Sequence, residues 1–319
     1  MKKRSILVTG CAGFIGSNFI NIFKKRFPKI KIVGIDDLSG GRKDAVDKNI
    51  TFYEGSILDK KLVSKIFSKY EPEYVFHFAA LPRVSYSMEN PVLTSEVNTI
   101  GTVILLDLAK KFGAKRFIFS SSSAIYGAAK KLPTKESENL PDPQSPYAAQ
   151  KLADEPFCKI FSKFFNLDTV CLRYFNVFGP GQYGDSPYST VVSAWLEALY
   201  FPKNKKGFIE GNGTQSRDFC YVDNVIDANI SAMLSKHKLN GECINIANGE
   251  RTNLLEIMKM IEKYTGRKLD LEKRPPRIGD VKDTHADITK AKKILGYKPK
   301  IRFEEGLIRT IEWFEKRKK

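Results

Sequence analysis

Gly10-Cys11-Ala12-Gly13-Phe14-Ile15-Gly16 follows directly on the apolar run Ile6-Leu7-Val8 and opens a segment of helical apolar spacing that reaches position 27. A glycine loop between a buried strand and a helix leaves few folds open. The first glycine permits the tight turn, the second lets backbone approach a diphosphate, and the third lets the helix lie close to the strand. The helix N-terminus then faces the phosphates. A second apolar run, 31–35, ends at Asp36, which stands twenty residues after Gly16. A carboxylate there can accept hydrogen bonds from an adenosine ribose and repels a 2′-phosphate. The segment therefore reads as a site for NAD rather than NADP.

The rest of the chain supports a parallel sheet around that loop. Strand-like runs at 74–78, 116–120 and 168–174 alternate with helical patterns at 61–69, 97–111 and 147–165. Such alternation predicts the α/β class, a doubly wound parallel sheet with helices on both faces. Pro156 falls inside the last of these helices and is expected to kink it, beyond its first turns. After Asn176 the pattern breaks into Gly-, Pro- and Asn-rich stretches near 179–187 and 207–213, which predicts a smaller, irregular second region. Residues 221–234 and 244–247 are regular again and can rejoin the sheet. From Leu254 follow a helix, a loop at Pro275-Pro276 and two more helical stretches. The expected division is 1–175 with 221–250 as the nucleotide-binding domain, and 176–220 with 251–319 as the second.

Composition removes several classes of function. The chain has 319 residues, 42% of them apolar, enough for a large core. No uninterrupted apolar run approaches the ~20 residues that span a bilayer, so a soluble protein without a membrane partner is expected. Met1-Lys2-Lys3-Arg4 precedes only three apolar residues, too few for a leader, which reads as a cytoplasmic N-terminus. Five scattered cysteines (Cys11, Cys158, Cys171, Cys220, Cys243) contain no C-x-x-C pair and suit reduced thiols rather than a metal site. The net charge of +17 comes from dispersed lysines without an aromatic-plus-basic motif. It predicts no nucleic-acid partner, but it can assist capture of an anionic substrate.

Chemistry is concentrated in Ser145-Pro146-Tyr147-Ala148-Ala149-Gln150-Lys151 and in the run Ser120-Ser121-Ser122-Ser123 upstream. On a helix, Tyr147 and Lys151 share one face, roughly 6 Å apart along the axis. An ammonium there can hold down the pKa of a phenol, and a serine hydroxyl can share its proton.

The glycine loop, Asp36, the serine run and Y-x-x-x-K together resemble the extended short-chain dehydrogenase/reductase family. Phe119-Ser120-Ser121-Ser122-Ser123-Ala124-Ile125-Tyr126-Gly127, Pro143-Gln144-Ser145-Pro146-Tyr147, Arg173-Tyr174-Phe175-Asn176, Ser216-Arg217-Asp218-Phe219 and Arg277-Ile278-Gly279-Asp280 are similar to its UDP-sugar 4-epimerase group. The similarity runs in order from about residue 4 to residue 299. It implies a Rossmann fold with a smaller C-terminal substrate domain, bound NAD, a UDP-sugar substrate and a homodimer built through the helices at Val97 and Tyr147. It also implies inversion of the sugar C4 hydroxyl through a transient 4-keto intermediate.

Carried onto this sequence, the resemblance makes Tyr147 the base, Lys151 its partner and Ser122 the catalytic hydroxyl. It implies cofactor contacts at Gly10, Gly13, Phe14, Ile15, Gly16, Asp36, Asp37, Leu38, Ser39, Gly40, Ser56, Ile57, Phe78, Ala79, Ala80, Leu81, Asn98, Ser120 and Phe175. It implies substrate contacts at Ser122, Ser123, Asn176, Thr190, Val191, Glu210, Arg217, Arg277 and Thr284. A guanidinium fork at Arg217 and Arg277 suits paired phosphate oxygens. Three departures qualify it. Ser56 stands where an aspartate usually meets adenine, which loosens that end. Pro82 replaces a lysine found near the cofactor in some members. Thr284 stands where a bulky tyrosine narrows the sugar pocket, which leaves room for a 2-acetamido group. Dehydratases and decarboxylases of the family carry an acid just after the catalytic hydroxyl, whereas Ser123-Ala124-Ile125 offers none. UDP-glucose/UDP-galactose and UDP-GlcNAc/UDP-GalNAc are the implied pairs. Thr284-His285-Ala286 and Tyr86-Ser87-Met88-Glu89-Asn90-Pro91 also resemble UDP-glucuronate 4-epimerases, the alternative. A non-catalytic NAD-binding regulator on the same fold is the second alternative, against which the intact tyrosine, lysine and serine argue.

Overall fold

A computed structural model of the chain describes residues 4–138, 141–185, 189–203, 206–275 and 281–318. Six strands β1 (Ser5–Thr9), β2 (Lys31–Asp36), β3 (Thr51–Glu54), β4 (Tyr74–His77), β5 (Arg116–Ser122) and β6 (Asp168–Tyr174) form a sheet with a seventh, Glu242–Ile246. The spatial order is Glu242–Ile246, β6, β5, β4, β1, β2, β3, and each neighbouring pair is parallel. The winding therefore reverses between β1 and β4. Loops leaving those two strands diverge there and open a crevice at their carboxyl ends, and the glycine loop lies in it. This is a Rossmann sheet. β1 and β6 are buried at every residue, as a parallel sheet covered on both faces requires.

Helix α1 (Phe14–Arg26) and the helix Val222–Leu234 pack on one face through Phe19, Ile20, Phe23, Val225 and Ile226. The other face is covered by α2 (Lys60–Tyr70), α5 (Gly101–Lys111) and α6 (Pro146–Phe164), with Val63, Phe67, Leu105 and Phe161 in its core. Between α2 and β5 lie the short α3 (Val84–Glu89) and α4 (Pro91–Ser95). From α4 the chain passes through one wider turn, Glu96–Ile100, closed by an i→i+5 bond from Gly101 N to Glu96 O, before α5 begins. The extra residue in this turn directs Asn98 inward.

Three elements add to the sequence reading. The edge strand β3 has no long apolar run, since it is four residues long and half-buried, so alternation did not announce it. The helix containing Tyr147 continues through Pro156 to Phe164. The helical run Pro91–Lys111 is, by length and mean hydropathy, apolar enough to cross a membrane. Half of it is buried inside the protein, against the sheet.

The C-terminal part is built from short pieces. Gly207–Glu210 pairs with Leu271–Arg274, and the helices Val191–Tyr200, Leu254–Thr265 and Phe303–Lys318 surround them. A capping box between Asn253 and Glu256 starts the middle helix. Trp195, Leu307 and Phe314 belong to the same apolar cluster as α1, so no solvent layer divides the two regions. Asp218 organises the junction. Its fully buried carboxyl accepts the N–H groups of Asn248 (2.9 Å), Gly249 (3.1 Å) and Ala286 (3.1 Å). It thereby ties the end of the seventh strand to the segment carrying Thr284.

Candidate active site

Local sequence explains where Tyr147 sits. Ser145 caps α6, its Oγ accepting the Ala148 N–H at 3.2 Å, and Pro146 occupies the first helical position, where its missing N–H costs nothing. Tyr147 is therefore fixed in the first turn and Lys151 in the second. The Tyr147 N–H, one of the helix's free donors, bonds Ser87 Oγ on α3 at 3.1 Å. β5 meanwhile delivers the serines in alternation. Ser121 turns into the core and donates to Glu155 Oε1 (2.7 Å). Ser120 donates to Tyr174 Oη (3.2 Å) at the edge of the cleft. Ser122 ends the strand and takes the Ala124 N–H (3.1 Å), and its hydroxyl acts on the Tyr147 phenol beside it in the cleft.

The electrostatics differ from the expectation that Lys151 depresses the phenol. Burial pushes the Tyr147 pKa up, and the Ser122 hydroxyl is the group that pulls it down. Lys151, 3% exposed, has its pKa pushed down by burial and propped up by Asp154. Its Nζ lies 4.6 Å from the ring centroid of Phe119. Asp154, one turn on, is thus the leading charge acting on Lys151.

These groups open into a cleft of about 1580 Å³ running along the carboxyl end of the sheet. Single-ligand pockets are usually on the order of 300–1,000 Å³, so this one has room for two nucleotides end to end. Its first half fits a dinucleotide. Gly10 has φ +67°, and a Cβ there would lie 2.6 Å from Ala79 N. A Cβ at Gly16 would lie 2.1 Å from Gly10 O, whereas at Gly13 it meets only that carbonyl, at 3.2 Å. Gly13 thus leaves the cleft wall bare backbone at the N-terminus of α1, where a diphosphate is favoured. Asp36 holds the loop's shape by accepting from Ala12 N (2.9 Å) and Leu38 N (2.8 Å), one bond per oxygen, which leaves lone pairs for a ribose. Arg42, a candidate for a 2′-phosphate, is otherwise engaged with Asp44 (3.1 and 3.0 Å) and stacked on Tyr183 at 4.3 Å.

Most of the sequence-derived contacts line this cleft: Gly10, Gly13, Phe14, Ile15, Gly16, Asp36, Asp37, Ser39, Gly40, Ile57, Phe78, Ala79, Ala80, Leu81, Ser120, Ser122, Ser123, Tyr147, Lys151, Asn176, Thr190, Arg217 and Thr284. Six stand outside its lining. Leu38 and Val191 lie beside it in sequence, and Ser56 spends its hydroxyl on Leu58 N at 3.2 Å. Asn98 is fully buried and braces the wall from behind, bonding Leu81 N (2.7 Å), Leu81 O (3.2 Å) and Gln150 (2.7 Å). Phe175 packs against Tyr126, and Glu210 ends the strand Gly207–Glu210. Arg277 lies outside the described residues.

Thr284 does more than leave space. Its Oγ accepts from Asn176 Nδ2 (3.1 Å) and from Asp218 N (3.2 Å), so it holds the asparagine, whose φ is +33°, in place. The Arg217 guanidinium is anchored on Ser216 O and Lys282 O, both at 2.9 Å. His285 bonds Gly249 O at 3.2 Å and serves the loop. Sequence reasoning missed Gln182. Its Oε1 takes Thr190 Oγ (2.7 Å), Thr190 N (3.2 Å) and Ser193 Oγ (2.8 Å), capping the helix Val191–Tyr200 from outside. It also missed Asn18, one turn after Phe14, which donates to Pro180 O (2.9 Å) and binds the loop after β6 to the glycine-loop helix. Neither belongs to a motif; each is a contact between segments far apart in the chain.

The family model described as GDP-mannose 4,6 dehydratase matches residues 7–310. Among solved structures, a UDP-glucose 4-epimerase of Thermotoga maritima with UDP-glucose superimposes with a TM-score of 0.92 at 38% identity, over 99% of this chain and 100% of that one. A UDP-N-acetylglucosamine 4-epimerase of Methanobrevibacter ruminantium, in complex with UDP-N-acetylmuramic acid, gives 0.89 at 36% identity over 99% and 100%. A UDP-glucuronic acid 4-epimerase of Bacillus cereus, in complex with UDP-glucuronic acid and NAD, gives 0.86 at 32% identity over 98% and 99%.

Proposed function

Since the chain belongs to the GDP-mannose 4,6 dehydratase family of extended short-chain dehydrogenases/reductases, we propose that it is an NAD-dependent UDP-sugar 4-epimerase acting on UDP-hexoses. The observation that carries this is that Tyr147, Ser122 and Lys151 line one cleft long enough for a dinucleotide and a nucleotide sugar, with Lys151 on the same helix face as Tyr147. Bound NAD supplies the acceptor and donor of the C4 hydride, and because the sugar is not oxidised overall, it is regenerated in each turnover. Tyr147 takes the proton of the 4-hydroxyl and returns it when the opposite configuration forms. Ser122 shares that proton. Asn176 and Arg217 hold the diphosphate of UDP, so the sugar beyond it can turn. The residues after Ser122, Ser123 and Ala124, carry no acid to drive elimination, which separates this site from dehydration.

The division into a nucleotide-binding part (1–175 with 221–250) and a UDP-sugar-binding part (176–220 with 251–319) is part of this proposal. So is a homodimer. Val92, Leu93 and Ile100 on the helical run Pro91–Lys111 and Phe157, Ile160 and Phe164 on α6 are all exposed, an apolar stripe that a second copy would cover. The five cysteines are free thiols, consistent with a reducing, cytoplasmic setting. Replacing Tyr147→Phe tests the assignment. Turnover should fall roughly 10²–10⁴-fold while NAD binding and thermal stability persist. Unchanged turnover would remove Tyr147 from the chemistry.

A further inference from the structure

Behind the catalytic face of α6 lies a buried carboxyl that the mechanism above does not use. Asp154 is 0% exposed and follows Lys151 by three residues, so both project from one side of the helix. Its Oδ1 has no hydrogen-bond partner among the described residues. Its Oδ2 lies 3.4 Å from Thr102 Oγ. That hydroxyl has a single hydrogen, and its strongest acceptor is Asn98 O at 2.5 Å, four residues back on the helix. His77, buried and kept neutral by its burial, has Nε2 2.9 Å from the same Thr102 oxygen and Nδ1 2.7 Å from Thr9 Oγ. Thr9 Oγ in turn accepts from Ala79 N at 3.2 Å. One assignment of hydrogens satisfies the whole chain. Ala79 donates to Thr9, Thr9 to His77, His77 to Thr102, and Thr102 to Asn98 O. Thr102 then has no hydrogen left for Asp154, and the contact is a bond only if Asp154 carries a proton and donates it.

We propose that Asp154 is a positioning residue for the Tyr147–Lys151 pair: protonated, it leaves the lysine's charge free to act on the phenol, and ionised, it draws that charge back into the core. The inference rests on Tyr147 and Lys151 being the catalytic pair. Every titratable group around Asp154 is compatible with a proton resident there. Burial pushes its pKa up to about 7, against the pull of Lys151. Glu155 on the same helix also pushes it up, while that carboxylate is itself committed to Arg173 at 2.8 and 2.6 Å. Cys158 on α6 and Cys171 on β6 are thiols held protonated by burial. An ionised Asp154 raises the pKa of Lys151 and, by cancelling its charge, that of Tyr147 as well. Removing the carboxylate therefore lowers both.

Asp154→Asn keeps the shape and abolishes the titration. For the holoenzyme turning over UDP-glucose, the bell-shaped pH profile of kcat should move as a whole to lower pH, by about one unit on each limb. Asp154→Ser should move it the same way. A bell that stays in place while only thermal stability changes would reduce Asp154 to a structural role and overturn the proposal. Infrared spectra supply a second reading: the native protein should show the carbonyl stretch of a buried carboxylic acid that vanishes as pH rises through neutrality, and Asp154→Asn should lose that contribution while the part due to Asp218, also buried and pushed up to about 7, remains. No band in the native protein, or a band unchanged in the variant, would also overturn the idea. If the native protein turned over no UDP-sugar, the enzyme reading itself would fail, an outcome distinct from an unmoved bell.

Discussion

Tyr147 starts from an unfavourable position, with burial raising its pKa and one hydroxyl, Ser122, lowering it. At the scale of single residues the site is tuned by such opposed pairs, and Thr284 is the one with the clearest experimental handle. Its side chain lines the cleft, where the proposed function puts the sugar beside it, while its hydroxyl holds Asn176 at 3.1 Å. The two roles separate by substitution. Thr284→Val keeps the volume and removes the hydroxyl, so KM should rise by a similar factor for UDP-glucose and UDP-GlcNAc, roughly 5-fold for about 1 kcal/mol of lost anchoring. Thr284→Tyr should depress UDP-GlcNAc turnover selectively. Equal losses on both sugars in the tyrosine variant would refute the steric role. The motif residues were legible in the sequence because their chemistry demands particular side chains at fixed spacings. Which partner each would take was not legible: the charge of Asp154 acts on Lys151, and Asn98 supports Leu81 rather than lining the cleft.

Elements were legible where they are long and buried on both faces. β1, β2, β5 and β6 stand where the apolar runs place them, whereas β3, half-buried at the edge, gave no period to read. The C-terminal pieces are held by polar contacts between distant segments, which no local pattern encodes. Asp218 is the clearest case. Three backbone N–H groups from two separate segments converge on it. Removing the carboxyl strands two buried donors and the half-buried Gly249 N–H at roughly 1–3 kcal/mol each, partly relieved by water. Asp218→Ala should lower stability by about 3 kcal/mol or more in denaturant unfolding and weaken UDP binding along with it, because Thr284 and Asn176 lose their frame. A loss under about 1 kcal/mol would contradict this role.

For the molecule as a whole, the seven-stranded parallel sheet sets the order of groups along the cleft: the glycine loop at the β1–β4 switch, the Tyr147 helix beside it and Asn176 and Arg217 beyond β6. The apolar stripe on Pro91–Lys111 and α6 lies on the outside of the same helices that carry Asn98 and Tyr147. Ile100→Glu combined with Phe164→Glu should convert a dimer to a monomer in light scattering with the fold intact. A native protein that is already monomeric would contradict the proposed interface. The most direct test of the central claim is to incubate the purified protein with UDP-glucose, UDP-GlcNAc and UDP-glucuronate separately and resolve the product isomers. The structure predicts C4 inversion of UDP-glucose, and of UDP-GlcNAc through the space beside Thr284, with no accumulation of oxidised sugar. Inversion of UDP-glucuronate alone would move the assignment to the uronate epimerases, and no epimer from any of the three would contradict it outright.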